Sequence, residues 1–118
     1  PMVGHLAAAG HRVTAYDVDP SIAPRLAREG AAIKRRGDDT LAPVPPEGRI
    51  VAADSLRAVA EGAEVVITML PNGEVVRRVA LGDAAGDDAL VAGLAPGALL
   101  LDTSSSEPWL TLATADAL

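Results

Sequence analysis

The sequence predicts an α/β domain built on a doubly wound parallel sheet, and three observations support this. First, 118 residues of which 49% are hydrophobic suffice for one compact domain with a sizeable core. Second, that core is aliphatic, because the only aromatic residues are Tyr16 and Trp109. Third, helical and strand-like patterns alternate along the chain with short connections, which by the right-handed crossover rule gives parallel strands.

The apolar runs and their flanking turn residues place the individual elements. Strands are predicted near residues 12–17, 49–53, 64–70 and 98–102. Six helical segments are predicted. The first three are Met2–Ala9, a helix opened by Asp19-Pro20-Ser21 that runs to Glu29, and a helix that Asp54 or Ser55 caps and that runs through Ala60. The other three are Glu74–Val79, a short piece over Leu90–Leu94, and a last helix that starts at Pro108. The run at 64–70 is nearly all apolar, so we expect a central strand buried on both faces.

One segment interrupts this alternation. Residues 34–48 are polar and include Pro43, Pro45 and Pro46, which disfavour regular structure. We therefore predict a loop insertion over 34–48 within a single domain that spans residues 1–118.

Composition excludes several classes of protein. The formal charge of −6 and the pI near 4.7 argue against a nucleic-acid partner, which requires a basic face. The longest apolar stretch, Ala89–Leu101, is interrupted by Gly93, Pro96 and Gly97 and is shorter than the roughly 20 residues of a membrane span. No secretory signal is visible, so we expect a cytoplasmic protein. With no cysteine and only two histidines, no metal site is predicted.

Asp17 is the first residue that indicates a ligand. An acid at the end of the second strand of a dinucleotide-binding fold accepts hydrogen bonds from the adenosine ribose, although acids also end strands as ordinary turn residues. The glycine fingerprint of such folds precedes that acid by roughly 20 residues, which falls at or before Pro1. We therefore expect a chain that is truncated at its N-terminus and lacks the first strand.

Three segments carry a resemblance to a known family. They are Pro1-Met2-Val3-Gly4-His5-Leu6 with Ala9-Gly10-His11-Arg12-Val13, then Ala63-Glu64-Val65-Val66-Ile67-Thr68-Met69-Leu70-Pro71-Asn72, and finally Asp102-Thr103-Ser104-Ser105-Ser106-Glu107-Pro108. In this order they resemble the β-hydroxyacid dehydrogenases, which include the 3-hydroxyisobutyrate enzymes and are similar to the nucleotide domain of 6-phosphogluconate dehydrogenase. The resemblance implies a Rossmann-type NAD(P)-binding domain without its first strand and glycine loop.

The same resemblance assigns roles to individual residues. It implies that Leu70 and Pro71 border the nicotinamide ribose, and that Ser104 and Ser105 hold the substrate carboxylate with Ser105 also near the nicotinamide. Because parallel strands place their carboxyl ends together, Asp17, Leu70 and Ser104 are expected at one edge of the sheet. Simpler interpretations stay open, since Pro71 can merely end a strand, Asn72 can cap a helix, and serines before a proline often cap helices.

No catalytic residue is assigned within the chain. The family's general acid/base is a lysine on a helix of a second domain outside this sequence, and the only lysine here, Lys34, lies in the predicted loop. The chain is therefore interpreted as a fragment, inactive in isolation, of an enzyme that transfers a hydride between a small β-hydroxy acid and a nicotinamide cofactor.

The cofactor and the alternatives follow from the remaining residues. NAD is favoured as the cofactor because the carboxylates of Asp17 and Asp19 would repel the 2′-phosphate of NADP, although NADP stays open. Assembly of the protein into a homo-oligomer also stays open. A non-catalytic domain remnant or packing module is an alternative, and so is the nucleotide domain of another Rossmann enzyme such as an imine reductase.

Overall fold

The computed structural model describes residues 2–34, 37 and 40–118, and within them the chain alternates between helix and strand. It divides into two compact units, residues 1–54 and 55–118. Across the described ranges, no helix combines the length and the apolar character needed to cross a bilayer.

The first unit contains two helices and four strands in its described residues. They are α1 (Met2–Ala8), β1 (Val13–Ala15), α2 (Ile22–Glu29), β2 (Ala31–Lys34), β3 (Leu41–Val44) and β4 (Ile50–Ala52). β1 and β4 are parallel, with Val13 opposite Ile50 and Ala15 opposite Ala52. β2 and β3 are antiparallel and run from the pair Ala31–Val44 to the pair Lys34–Leu41.

The prediction of a loop over residues 34–48 is wrong where β3 forms and at Lys34, which ends β2. Side chains of both strands alternate between the core and solvent, and Val44 is buried. Pro43 is exposed in a ladder of only two strands, where a missing N–H is tolerated. Residues 35, 36, 38 and 39 of the predicted loop lie outside the described residues.

The core of the first unit joins its helices to the antiparallel pair β2–β3, which we call the hairpin. Its buried members, Ala7, Val44 and Ile50, come from α1, β3 and β4. The partly buried residues packed against them are Val3, Leu26, Ala31 and Ile33. The predicted loop segment therefore supplies part of the core through Val44, which packs with Ala7 of α1 and Ile50 of β4.

The second unit contains three helices, two strands and one short 3-10 helix. They are α3 (Leu56–Ala60), β5 (Val65–Thr68), α4 (Gly73–Leu81), the 3-10 helix (Leu90–Ala92), β6 (Leu99–Asp102) and α5 (Pro108–Ala117). β5 and β6 are parallel and in register from the pair Val65–Leu99 to the pair Thr68–Asp102.

The two faces of the β5–β6 pair differ in burial. Val66 packs with Ala60 of α3 and Leu90 of the 3-10 helix, and all three are buried. On the opposite face, Val65 is 49% exposed and its cross-strand neighbour Leu99 is 56% exposed. The prediction that the 64–70 strand is buried on both faces is therefore wrong, because within this unit the pair packs helices on one side only.

The fold class predicted from the sequence is confirmed. The structure is mixed α/β, and all four predicted parallel strands are present at the expected positions. They form two separate parallel pairs, β1–β4 and β5–β6, instead of one continuous ladder.

Candidate functional site

The ends of β5 and β6 bring two of the predicted site residues together. The parallel register places Thr68 opposite Asp102, so the segments that follow both strands begin at the same edge. The backbone N–H of Leu70, two residues after β5, donates a 2.8 Å hydrogen bond to the hydroxyl oxygen of Ser104, two residues after β6. The predicted proximity of Leu70 and Ser104 is therefore confirmed.

The carboxylate of Asp102 is the centre of the hydrogen bonds at this edge. Its Oδ1 accepts from the hydroxyl of Thr68 at 2.9 Å and from the backbone N–H of Ser104 at 3.0 Å. Its Oδ2 accepts from the hydroxyl of Ser106 at 2.9 Å. One carboxylate thus joins Thr68, the last residue of β5, to Ser104 and Ser106 in the segment that follows β6.

Thr103 adds a second connection between the strands. Its backbone N–H and its hydroxyl both donate to the carbonyl oxygen of Thr68, at 2.9 Å and 2.8 Å. The turn itself closes through the N–H of Ser106, which donates to the carbonyl of Ser104 at 3.1 Å. We call residues 103–106 the serine turn.

Ser105 occupies the outer position of the serine turn. It is exposed, and among the described residues its hydroxyl has no intramolecular hydrogen bond, in contrast to those of Thr103, Ser104 and Ser106. Pro71 is also exposed, one residue before the N-cap of α4. Both are therefore accessible to a ligand at the ends of β5 and β6.

The simpler interpretations of these residues have different outcomes. Asn72 is the N-cap of α4, and its side-chain oxygen accepts from the N–H of Val75 at 3.0 Å, as the capping interpretation predicts. The N-cap of α5 is Glu107, and this helix has no side-chain cap. The hydroxyls of Thr103 and Ser104 thus bond to Thr68 and Leu70, that of Ser106 bonds to Asp102, and none of them caps α5.

The charge on Asp102 is stabilised at this edge. Burial acts to raise the pKa of the Asp102 carboxyl, but hydrogen bonds from Ser104, Ser106 and Thr68 together outweigh it and hold the pKa below its ordinary value. Asp102 is consequently ionised at neutral pH, and the bonds that it accepts are charge-assisted.

This shift predicts a pH-dependent contribution to stability. A carboxyl whose pKa is depressed in the folded state stabilises it fully above the unfolded-state pKa of about 4, and that contribution is lost as pH falls through the lower folded pKa. We expect Asp102→Asn to lower the free energy of unfolding at pH 7, with the deficit shrinking below about pH 4. Urea unfolding of both chains between about pH 7 and pH 2.5 measures this, and a constant deficit would contradict it.

Asp17 lies in the first unit, two residues after β1. It is half-buried, and its Oδ1 accepts from the backbone N–H of Asp19 at 2.9 Å. Asp19 in turn accepts from the hydroxyl of Ser21 at 2.7 Å and from its N–H at 2.9 Å, and these bonds lower the pKa of Asp19. Both aspartates therefore shape the turn into α2. The expectation that Asp17 shares an edge with Leu70 and Ser104 stays a prediction.

Sequence reasoning missed the central role of Asp102 and its partner Thr68. In the sequence, Asp102 stands only as the first residue of a motif, and Thr68 only as part of an apolar strand. A signal was present, because Thr68 is the one hydroxyl-bearing residue in the run 64–70. A hydroxyl at the end of a buried strand requires a hydrogen-bond partner, and an acid at the end of the next strand supplies one.

Comparison with known proteins gives one consistent family. The model for the NAD binding domain of 6-phosphogluconate dehydrogenase matches residues 1–118. The chain is 37% identical over 108 residues to 3-hydroxyisobutyrate dehydrogenase of Pseudomonas aeruginosa, covering 92% of this chain and 28% of that protein. It is 32% identical over 111 residues to 3-sulfolactaldehyde reductase of Escherichia coli, covering 94% of this chain and 30% of that protein.

A third relative has a similar identity to the chain and a similar share of its own length covered. The chain is 39% identical over 105 residues to a probable 3-hydroxyisobutyrate dehydrogenase of Mycobacterium tuberculosis, with 89% of this chain and 27% of that protein covered. The chain thus spans less than a third of the length of these relatives.

Proposed function

The chain belongs to the family of the NAD-binding domain of 6-phosphogluconate dehydrogenase, and from this premise we propose that the ends of β5 and β6 bind the nicotinamide half of a dinucleotide. Leu70 and Pro71 border its ribose, and Ser104 and Ser105 bind the carboxylate of a small β-hydroxy acid beside it. The whole protein transfers a hydride between that acid and the cofactor, with the chemistry supplied by the nicotinamide.

The hydrogen bond from the Leu70 N–H to the Ser104 hydroxyl carries this proposal. It joins the two segments to which the family resemblance assigns cofactor and substrate contacts, at the carboxyl ends of parallel strands where α/β folds bind ligands. The nearby Ser105 hydroxyl is exposed and can donate to a carboxylate. One edge therefore supplies groups for both ligands, as hydride transfer requires.

NMR mapping on the chain tests the site directly. We expect millimolar NAD to shift the backbone amide resonances of residues 69–72 and 103–106, and 3-hydroxyisobutyrate to add shifts within 103–106. Amides of α3 and the 3-10 helix serve as the internal control, because they lie in the core of the same unit. Absence of shifts at both strand ends, with other amides responding, would contradict the proposed function.

We further propose NAD as the cofactor, on the basis of Asp17. Its Oδ1 is engaged by the turn, and its Oδ2 has no hydrogen bond with the described residues, so it can accept one from an adenosine ribose hydroxyl. The Asp19 carboxylate two residues further on has a lowered pKa and is therefore ionised at neutral pH. Two negative charges beside β1 disfavour the 2′-phosphate of NADP.

Substitution of Asp17 separates the two cofactors. We expect Asp17→Ala to weaken NAD binding by roughly tenfold or more, since a charge-assisted hydrogen bond is lost, and to weaken NADP binding less. Asp54→Ala is the matched control, because Asp54 is likewise an aspartate two residues after a parallel strand, β4. NMR titrations with both cofactors measure the affinities, and an unchanged NAD affinity would show that Asp17 serves the turn alone.

A further inference from the structure

The serine turn divides its hydroxyl groups into two kinds. Those of Thr103, Ser104 and Ser106 are engaged with Thr68, Leu70 and Asp102, so they fix where the turn lies. Only the Ser105 hydroxyl, among these four described residues, projects without an intramolecular partner. The turn therefore presents the Ser105 hydroxyl without an intramolecular partner among the described residues, while Ser104 both positions the turn and contacts the carboxylate in the proposed function.

Asp102 accepts three of the hydrogen bonds at this edge. Of the residues that it binds, Thr68 belongs to β5, while Ser104 and Ser106 flank Ser105 on either side. A carboxylate accepts through both oxygens at once, so a single side chain fixes both flanks of Ser105 relative to the neighbouring strand. The charge makes each of these bonds stronger than a neutral one.

We propose that Asp102 is a positioning residue, whose carboxylate holds the serine turn against the end of β5 and thereby presents the Ser105 hydroxyl to the ligand. This inference rests on the proposed function for its ligand, and it goes beyond it by naming a residue that acts through others. Asp102 is half-buried, and its bonds go to Thr68, Ser104 and Ser106. Its effect on a ligand is therefore exerted through the order of the turn.

Two substitutions at position 102 distinguish charge from geometry. Asp102→Ala removes all three bonds and should loosen both flanks of Ser105, although the bond from the Leu70 N–H to the Ser104 hydroxyl remains. Asp102→Asn keeps one side-chain oxygen to accept from Thr68 and Ser104, and its amide nitrogen can donate to the Ser106 oxygen in place of the lost acceptor. The conservative variant should therefore retain most of the order of the turn.

Backbone ¹⁵N relaxation on the 118-residue chain reports that order without any ligand. We expect order parameters of Ser104 and Ser105 near about 0.85 in the parent, below about 0.6 in Asp102→Ala, and near the parent value in Asp102→Asn. Asp87→Asn is the matched control, because the Asp87 carboxylate likewise accepts hydrogen bonds in a turn of the same unit, here from the backbone N–H groups of Asp83 and Ala84. It should leave the serine turn unchanged.

Titration with 3-hydroxyisobutyrate then connects order to binding. We expect its affinity, read from the Ser105 amide shift, to fall about tenfold in Asp102→Ala and to recover largely in Asp102→Asn. Equal order and equal affinity in Asp102→Ala and the parent would overturn the proposal. If Asp102→Ala does not fold, Ser106→Ala decides, because it removes one positioning bond and should loosen Ser105 in the same direction; an unchanged Ser105 there overturns it.

The two readouts separate this inference from the proposed function. A parent chain that shows no ligand shifts at Ser105 contradicts the proposed function, while the loss of order in Asp102→Ala still supports the positioning role in the free chain. Ligand shifts in the parent that persist at full strength in a disordered turn contradict the positioning role and leave the proposed function supported.

Discussion

Gly30→Ala is expected to destabilise the first unit by about 2–5 kcal/mol, through backbone strain and overpacking together. Gly30 ends α2 with φ near +83° and ψ near −166°, a conformation that is accessible essentially to glycine alone. A Cβ at this position would collide with the carbonyl oxygen of Val44 in β3 and lie 3.0 Å from Cδ of Pro46. The close approach of α2 to the hairpin therefore requires a residue without a side chain.

A second glycine isolates the collision from the backbone strain. Gly48 also has a positive φ, of 72°, but a Cβ there would meet nothing within 4 Å. Gly48→Ala should therefore lower the free energy of unfolding by only about 1–2 kcal/mol, the cost of placing an alanine in a left-handed backbone conformation. Urea unfolding followed by circular dichroism compares the two. Equal midpoints for both variants would show that the contact between Gly30 and β3 does not constrain the unit.

The strands were predictable because apolar residues run together where a parallel pair packs against helices. Val65–Thr68 and Leu99–Asp102 follow that rule, and each ends on a polar residue at the edge. The cap of α4 by Asn72 was also foreseeable, since the side chain lies directly before a helical pattern. A helix cap depends on residues that are neighbours in the sequence, so it can be predicted from the sequence alone.

The hairpin could not be recognised from the same local signals. Pro43, Pro45 and Pro46 indicate a loop, whereas β3 brings Val44 into the core against Ala7 of α1 and Ile50 of β4. That packing depends on residues far away in the sequence, such as Ala7, and tertiary burial overrides local propensity. The sequence pattern also favoured a strand covered on both faces, but Val65 and Leu99 show that burial depends on what packs there.

The centre of the candidate site depends equally on pairing. The motif that begins at Asp102 and the residue Leu70 can both be identified in the sequence. Their hydrogen-bond partners on the other strand segment, Thr68 and Ser104, cannot. The register that sets Thr68 opposite Asp102 is what turns two separate segments into one hydrogen-bonded edge. Residue types thus indicated which positions carry the chemistry, and the strand pairing determined which of them support the others.

The 118-residue chain by itself is expected to give no hydride transfer and weak NAD binding at best. The family resemblance implies a lysine as general acid/base, and the only lysine here, Lys34, pairs with Leu41 in the antiparallel hairpin of the first unit. The glycine fingerprint that holds a dinucleotide pyrophosphate through backbone N–H groups does not occur within these 118 residues. Under the proposed function the ends of β5 and β6 bind the nicotinamide and the carboxylate, but neither a lysine for the proton nor a glycine fingerprint for the pyrophosphate accompanies them in this chain.

Absorbance of NADH at saturating NAD and 3-hydroxyisobutyrate measures turnover, with calorimetry for NAD affinity. The 3-hydroxyisobutyrate dehydrogenase of Pseudomonas aeruginosa serves as the positive control, because it is 37% identical over the matched segment. We expect the chain to match a buffer blank and its dissociation constant for NAD to be weaker than micromolar, since the pyrophosphate lacks the N–H groups of a glycine fingerprint. Turnover above the blank would mean that another group of this chain accepts the substrate's hydroxyl proton, and micromolar affinity would mean that another segment anchors the phosphates.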